Sequence, residues 1–484
     1  MIRLISTMRG KMKKYKFLKS SFLAAVCGTL ILASCATKPV VKIEESASKT
    51  PTKEQDEPAD EPANVKFAKQ LQQRLAQNDI KGAISLFDNL PSELQDDKEL
   101  KLVLGALFYS DHQFDNAIST ANDVLKFDKS NIEALELISM CNKAKGDKTA
   151  YKQTADKILA VDPYNPSVNI QKGDDYALNK KYKLARNSYQ RALKGDKENI
   201  DAKFGYARMS YFLDETATAK TVLQEILDKD PKNAAANAYM GKLKAEDENY
   251  LSAANYISKA LKTEPTNYDY WLDYGNYLRH QGKFEEAAEA WNKAVSLDPS
   301  YFLAYAYLAG NYDDLEKWDL ALENYHKVIE TNPKYYFAYE ETGILEYRSK
   351  NYEAAAKYFT KTLEYSDNWS YYLMIAACYF KMGDSSAAKK ILQTAMKKQE
   401  ANSTEQLILR FYAENYNKNA ETTLNQRIEK ESNRNTRGKM LFYMGLYCEL
   451  NGADELAREY YSKVTSMSAP MFFEYRIAEW GLKK

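Results

Sequence analysis

Apolar and small residues recur along this chain in columns 34 residues apart, and the register holds from about Asn64 to Asn368. One stretch carries Trp271, Tyr274, Gly275, Leu278, Ala287, Trp291, Ala294 and Pro299. The next period fills the same columns with Tyr305, Leu308, Ala309, Tyr312, Ala321, Tyr325, Val328 and Pro333, and the preceding one with Asn237, Met240, Gly241, Lys244, Ala253, Ile257, Ala260 and Pro265. Each period predicts a helix A, a turn and a helix B. A small residue on helix A (Gly105, Gly173, Ala207, Gly241, Gly275, Ala309, Gly343) lets the two helices approach, and Ala on helix B (Ala117, Ala185, Ala219, Ala253, Ala287, Ala321, Ala355) completes the contact. Proline at 163, 231, 265, 299 and 333 ends helix B, since it can neither donate a hydrogen bond nor continue the helix. A fixed period of this length predicts a solenoid, because one such unit cannot bury its apolar face alone.

The columns resemble the tetratricopeptide repeat. The resemblance implies an all-α fold, a tetratricopeptide-repeat α-solenoid in which helix-turn-helix units form a right-handed superhelix and helix A lines the concave side. Nine units in register start near Asn64, Lys98, Ile132, Pro166, Ile200, Ala234, Tyr268, Phe302 and Tyr336. A tenth starts one residue early at Trp369, so ten repeats span 64–402. Residues 403–437 read as a degenerate repeat, 438–471 as a clean one, and 472–484 as a capping helix that closes the open end of the stack.

The amino terminus predicts an address and an anchor. Residues 12–35 read MKKYKFLKSSFLAAVCGTLILASC, a basic start followed by the apolar run Phe22–Leu32, too short to span a bilayer comfortably. This is the pattern of a secretory signal, expected over 1–34, with Met12 a second candidate start. Leu32-Ala33-Ser34-Cys35 resembles the bacterial lipobox. That resemblance implies cleavage before Cys35 and acylation of its thiol and amine, and two or more acyl chains anchor a protein stably. Ala36 follows; by resemblance to lipoprotein sorting in diderm bacteria, absence of Asp there implies the outer membrane, facing the periplasm, whereas a single-membrane bacterium would hold the chain on the outer leaflet of its plasma membrane. Residues 36–63 are polar, charged and Pro-containing without periodicity, and are expected to form a disordered tether with a reach of roughly 30 Å.

Composition narrows the function. Seven Lys or Arg and no acid lie in the first 34 residues; without them 61 basic residues face 67 acidic ones, a formal charge near −6. With no basic stripe, nucleic acid is not an expected partner. The histidines, His112, His280 and His326, stand apart from one another and from any nucleophile motif. There is no GxSxG, P-loop, HExxH or GxGxxG motif, so neither catalysis nor a metal or cofactor is expected. Cys141, Cys378 and Cys448 are too many repeats apart to pair and are expected as buried thiols.

Binding is therefore the expected activity, on the concave face. The residue after each small residue points there, giving Asp174, Arg208, Lys242, Asn276, Gly310 and Ile344. Companion inward columns give Phe204, Tyr211, Tyr239, Arg279, Tyr307 and Tyr347. Aromatics beside mixed charge at regular spacing suit an extended peptide or a partner helix. From about Trp369 on, Tyr371-Tyr372-Leu373, Arg410-Phe411-Tyr412, Leu441-Phe442-Tyr443-Met444-Gly445 and Phe473-Glu474-Tyr475-Arg476 resemble NlpI-type lipoproteins, with Tyr475 where that family has His. This resemblance implies a periplasm-facing adaptor for peptidoglycan hydrolases and a processing protease, and a homodimer. The alternative is an accessory lipoprotein of a transport system that holds a small ligand or a solute-binding protein.

Overall fold

Asn131, Asn165, Asn199, Asn233 and Asn267, spaced 34 residues apart, each accept a hydrogen bond from a backbone N–H in the first turn of the helix that follows. That cap satisfies a donor that the helix itself cannot. The computed structural model describes residues 63–414, 418–468 and 470–483, and among them there is no strand. Cys35, the signal and the tether lie outside the described residues.

The helices run in sequential pairs. The first pair is α1 (Ala63–Ala76) and α2 (Ile80–Ser85). Helix α2 is cut short; short 3-10 turns at Leu86–Asn89 and Ser92–Leu94 replace its end, on either side of Pro91. Then follow α3 (Lys98–Ser110) with α4 (Phe114–Phe127), α5 (Ile132–Lys145) with α6 (Lys148–Val161), α7 (Pro166–Leu178) with α8 (Tyr182–Gly195), and α9 (Ile200–Phe212) with α10 (Thr216–Lys229). Next come α11 (Ala234–Glu246) with α12 (Tyr250–Thr263), α13 (Tyr268–His280) with α14 (Phe284–Leu297), α15 (Phe302–Asp314) with α16 (Trp318–Thr331), and α17 (Tyr336–Arg348) with α18 (Tyr352–Thr362). The remainder is α19 (Trp369–Lys381), α20 (Ser385–Met396), α21 (Thr404–Ala413), α22 (Lys418–Lys430), α23 (Arg434–Leu450), α24 (Asp454–Thr465) and α25 (Glu474–Leu482). The fold is an all-α solenoid of helix-turn-helix units.

Each turn between helix A and helix B is closed by one residue in the left-handed region. His112, Gly146, Lys180, Asp214, Glu248, Gly282, Glu316 and Lys350, again 34 apart, have φ between 55° and 76°. Only Gly146 and Gly282 adopt this conformation without a steric cost; the other side chains give up on the order of 1 kcal/mol each, which packing of the pair offsets.

The chain divides into two compact units, up to Val222 and from Leu223. In the first, the Tyr189 ring of α8 is 1% exposed and fills the space left by Gly173 and Gly205; a Cβ on Gly173 would lie 2.7 Å from the ring. In the second, the fully buried Trp291 of α14 does the same at Gly275, and its Nε1–H donates to the Leu272 carbonyl at 3.2 Å. A large ring opposite a residue without a side chain sets how closely helices A and B meet.

The carboxy-terminal third is less regular than the repeat pattern. Helix α23 starts at Arg434, one turn ahead of Gly438, because Asn433 caps it through the Thr436 N–H at 3.0 Å. It also packs back on α19, skipping the pair between them. The Tyr443 hydroxyl donates to the Ser370 carbonyl at 2.9 Å, and Lys381 pairs with Glu449 at 3.0 Å.

Candidate functional site

Helix A of one repeat packs on helix A of the next in the first unit, and in both units charged side chains of neighbouring helices A meet, so that this face carries rungs. In the first unit the rung joins α7 to α9. Tyr189 donates its hydroxyl to Asp174 Oδ1 at 2.6 Å and accepts from Arg208 Nη2 at 3.4 Å. Burial first, then the bond to Asp174, raises the Tyr189 hydroxyl far above its ordinary value, so it stays a donor. The Arg208 guanidinium lies 3.9 Å from Asp174 and 5.9 Å from the Phe204 ring centre. Tyr211 sits edge-on to Phe212 at 5.4 Å.

In the second unit Lys242 of α11 lies 3.4 Å from Asp273 Oδ2 of α13 and 5.6 Å from the Tyr239 ring centre. Burial raises the Asp273 carboxyl, against which Lys242 acts. Arg279 of α13 pairs with Asp314 of α15, at a half-exposed position. Tyr307 stacks on Trp291 at 5.4 Å, and Asn276 is half-buried on α13.

The expected inner-face cations Arg208, Lys242 and Arg279 are thus each joined to an acid of the neighbouring helix A. Half-exposed pairs of this kind contribute about 0–1 kcal/mol each, but they fix the side chains and leave the face nearly neutral. This face thus presents half-buried aromatics and Asn276 rather than loose positive charge. The pairing has a sequence signal: Asp174, Asp273 and Asp314 stand about one period from their partners.

Tyr347 departs from expectation. It was assigned to the accessible face, yet it is 7% exposed and belongs to the core shared by α17, α19, α23 and α24. The cause is α23 and α25, which cover the inner side of α17 and α19.

Helix α25 also does more than cap. One face, with Ile477, Ala478 and Gly481, packs on α23 and α24; a Cβ on Gly481 would lie 2.6 Å from the Tyr461 ring. The other face reaches back to α15, α16 and α17. Arg476 bridges Asp313 at 2.8 Å and Glu341 at 2.7 Å. The Arg348 guanidinium lies 4.1 Å from the Trp318 ring and 5.5 Å from the Trp480 ring, which meet each other edge-on at 5.6 Å.

Burial raises the Asp313 carboxyl to about 6, with Glu341 and Asp314 adding to the rise and Arg476 opposing it. A raised carboxyl value means that the folded chain holds a proton that the unfolded chain releases. Stability from this group is present below about pH 4 and is lost as pH rises through about 6. We expect wild type to lose roughly 2 kcal/mol relative to Asp313→Asn between pH 4 and 7, read from denaturation midpoints of both. A difference that is constant with pH would contradict the burial of this group.

His280 stacks on Tyr250 at 4.2 Å, and His326 shares a hydrogen bond with Tyr358 at 3.2 Å. Cys141, Cys378 and Cys448 are free and buried, and burial raises each thiol, to about 11 for Cys141 and Cys448. Among the described residues no group of three or more His, Cys, Asp or Glu could hold a metal ion, and no helix is long and apolar enough to cross a membrane.

Three family models, each described as tetratricopeptide repeat, match residues 176–243, 239–302 with 306–371, and 371–399. These stretches carry tetratricopeptide repeats. The chain is 26% identical over 102 residues to tetratricopeptide repeat-containing protein trd-1 of Caenorhabditis elegans, covering 21% of this chain and 13% of that protein. It is 33% identical over 64 residues to essential for maintenance of the cell wall protein 1 of Saccharomyces cerevisiae, covering 13% of this chain and 7% of that one. The chain thus spans only a small part of these relatives. A structure of Pseudomonas aeruginosa pilF is 22% identical, covering 45% of this chain and 98% of that one, with a TM-score of 0.35.

Proposed function

We propose that the chain is a lipid-anchored scaffold of the bacterial cell envelope that holds a partner protein or peptide against the helix-A face of its repeats. Tetratricopeptide repeats support a protein-interaction scaffold. The observation that carries the choice of face is the set of rungs that fixes aromatic side chains beside paired charges, with Tyr239, Lys242, Asn276, Arg279 and Tyr307 on successive helices A of the second unit. Helix B of the same repeats offers separate charges instead: Glu289 and Lys293 of α14 are exposed. A face with fixed aromatics loses less side-chain entropy on binding than one made of free lysines and glutamates.

The chain acts by binding and not by catalysis. Acylated Cys35 holds it to the outer membrane with the repeats in the periplasm. The likeness of the last quarter to NlpI-type lipoproteins favours peptidoglycan hydrolases or a processing protease as partners, and a homodimer as the assembly.

The test is capture from the chain's own membranes by the mature protein. Tyr239→Ala with Asn276→Ala should reduce capture at least tenfold with little change in melting temperature, because neither side chain is fully buried. Glu289→Ala with Lys293→Ala should leave capture unchanged. Equal loss from both pairs, or full retention by the first, would move the site away from this face.

A further inference from the structure

The inner side of α15–α17 already holds a helix. Arg476 and Trp480, four residues apart on one side of α25, meet two carboxylates and a Trp–Arg pair that belong to three consecutive helices. The guanidinium is held by one acid from α15 and one from α17, so its position selects a planar cation with donors on two sides. Its own Cζ lies 5.1 Å from the Trp480 ring. Lys483, one turn further on, lies 3.5 Å from Glu316.

This contact differs from the rest of the core. Its centre is charged, the Arg476 side chain is 30% exposed, and burial raises both Asp313 and Glu341. Charges held this way cost much of what they return, so such a contact can open where an apolar one would not. Helix α25 is short, at nine residues, and no side chain caps its amino end.

We propose that Asp313, Glu341, Trp318 and Arg348 form a recognition site for a helix that presents Arg and Trp four residues apart, and that the chain's own α25 occupies this site as a resident ligand. A partner helix of that chemistry enters by displacing α25. The inference rests on the reading that inner faces of these repeats bind partners, and it adds both the ligand chemistry and a built-in competitor.

The experiment uses the full chain and a fluorescein-labelled peptide of residues 471–484, with binding read by anisotropy. Arg476→Ala with Trp480→Ala removes the two side chains by which α25 holds the site, so that α25 yields to a helix that has them. This variant should bind the peptide at least tenfold more tightly than wild type. Adding Asp313→Asn and Glu341→Gln should return binding to the wild-type level, and a peptide with Ala in place of its Arg should not bind. Equal binding by wild type and the double variant would overturn the proposal, as would binding that survives loss of both acids.

Should the double variant fold poorly, Arg476→Lys gives a second route, because an ammonium cannot bridge both acids as the planar guanidinium does. This milder variant should also bind the peptide more tightly than wild type, and binding equal to wild type would likewise overturn the proposal. Because the probe is a peptide of this chain, its failure leaves capture by the Tyr239 face untouched, and failure of that capture leaves the peptide result standing.

Discussion

Trp291→Ala is expected to lower stability by about 3–5 kcal/mol, the cost of emptying a fully buried ring site in a packed helix pair. Gly275 makes the complementary test from the other side. A Cβ there would lie 2.6 Å from Cε2 of the Trp291 ring. The indole is enclosed and bonded to the Leu272 carbonyl, so it has little room to shift. Gly275→Leu should therefore cost about 3 kcal/mol, the upper end of ordinary overpacking. Gly241 sits in the same column, but a Cβ there would lie 3.2 Å from the Ala253 carbonyl oxygen, with Ile257 N and Tyr256 Cβ at an ordinary 3.6 Å. Gly241→Ala should change stability little, because a gain of up to about 1 kcal/mol in helix propensity offsets that tight contact. Urea midpoints of the three variants check the ordering. Equal losses at 241 and 275 would show that the ring does not set the spacing of this pair.

Cys35→Ser is expected to stop lipid attachment and the cleavage that follows it. A serine hydroxyl does not replace the thiol that receives the diacylglycerol, and in the lipobox family cleavage follows that step. The variant should run as a larger, unprocessed precursor or appear as soluble protein, against a fully membrane-bound wild type. One acyl chain holds a protein only marginally and reversibly, while two or more hold it stably, so the contrast should be near complete. Wild-type fractionation and mobility in the variant would defeat the lipid-anchor reading.

Much of the solenoid is legible in the sequence because its determinants are local. An Asn before most helices A, a small residue in the middle of most and a Pro after several helices B all lie within one 34-residue period, and helices open at Lys98, Ile132, Pro166, Ile200, Ala234, Tyr268, Phe302, Tyr336 and Trp369. The pairing of large with small residues, such as Trp291 with Gly275, is legible for the same reason. The rung partners Asp273 and Asp314 are half-legible: opposite charges one period apart are visible, but only the packing shows that they meet. The contact of α25 with α15 leaves no periodic trace. Arg476 and Asp313 are 163 residues apart, and their meeting depends on how the intervening helices stack. Burial of Tyr347 was hidden in the same way, since its column is right for an open face and only the return of α23 closes it.

The central claim is that a partner lies on the helix-A face of the second unit. The most direct measurement places a photo-crosslinking amino acid at single positions of the full chain in its own cells. Replacing Tyr239 should give a crosslinked partner band, while replacing Glu289 on helix B should give none. Crosslinking from position 289 with silence at 239 would contradict the account and place the partner on the outer face.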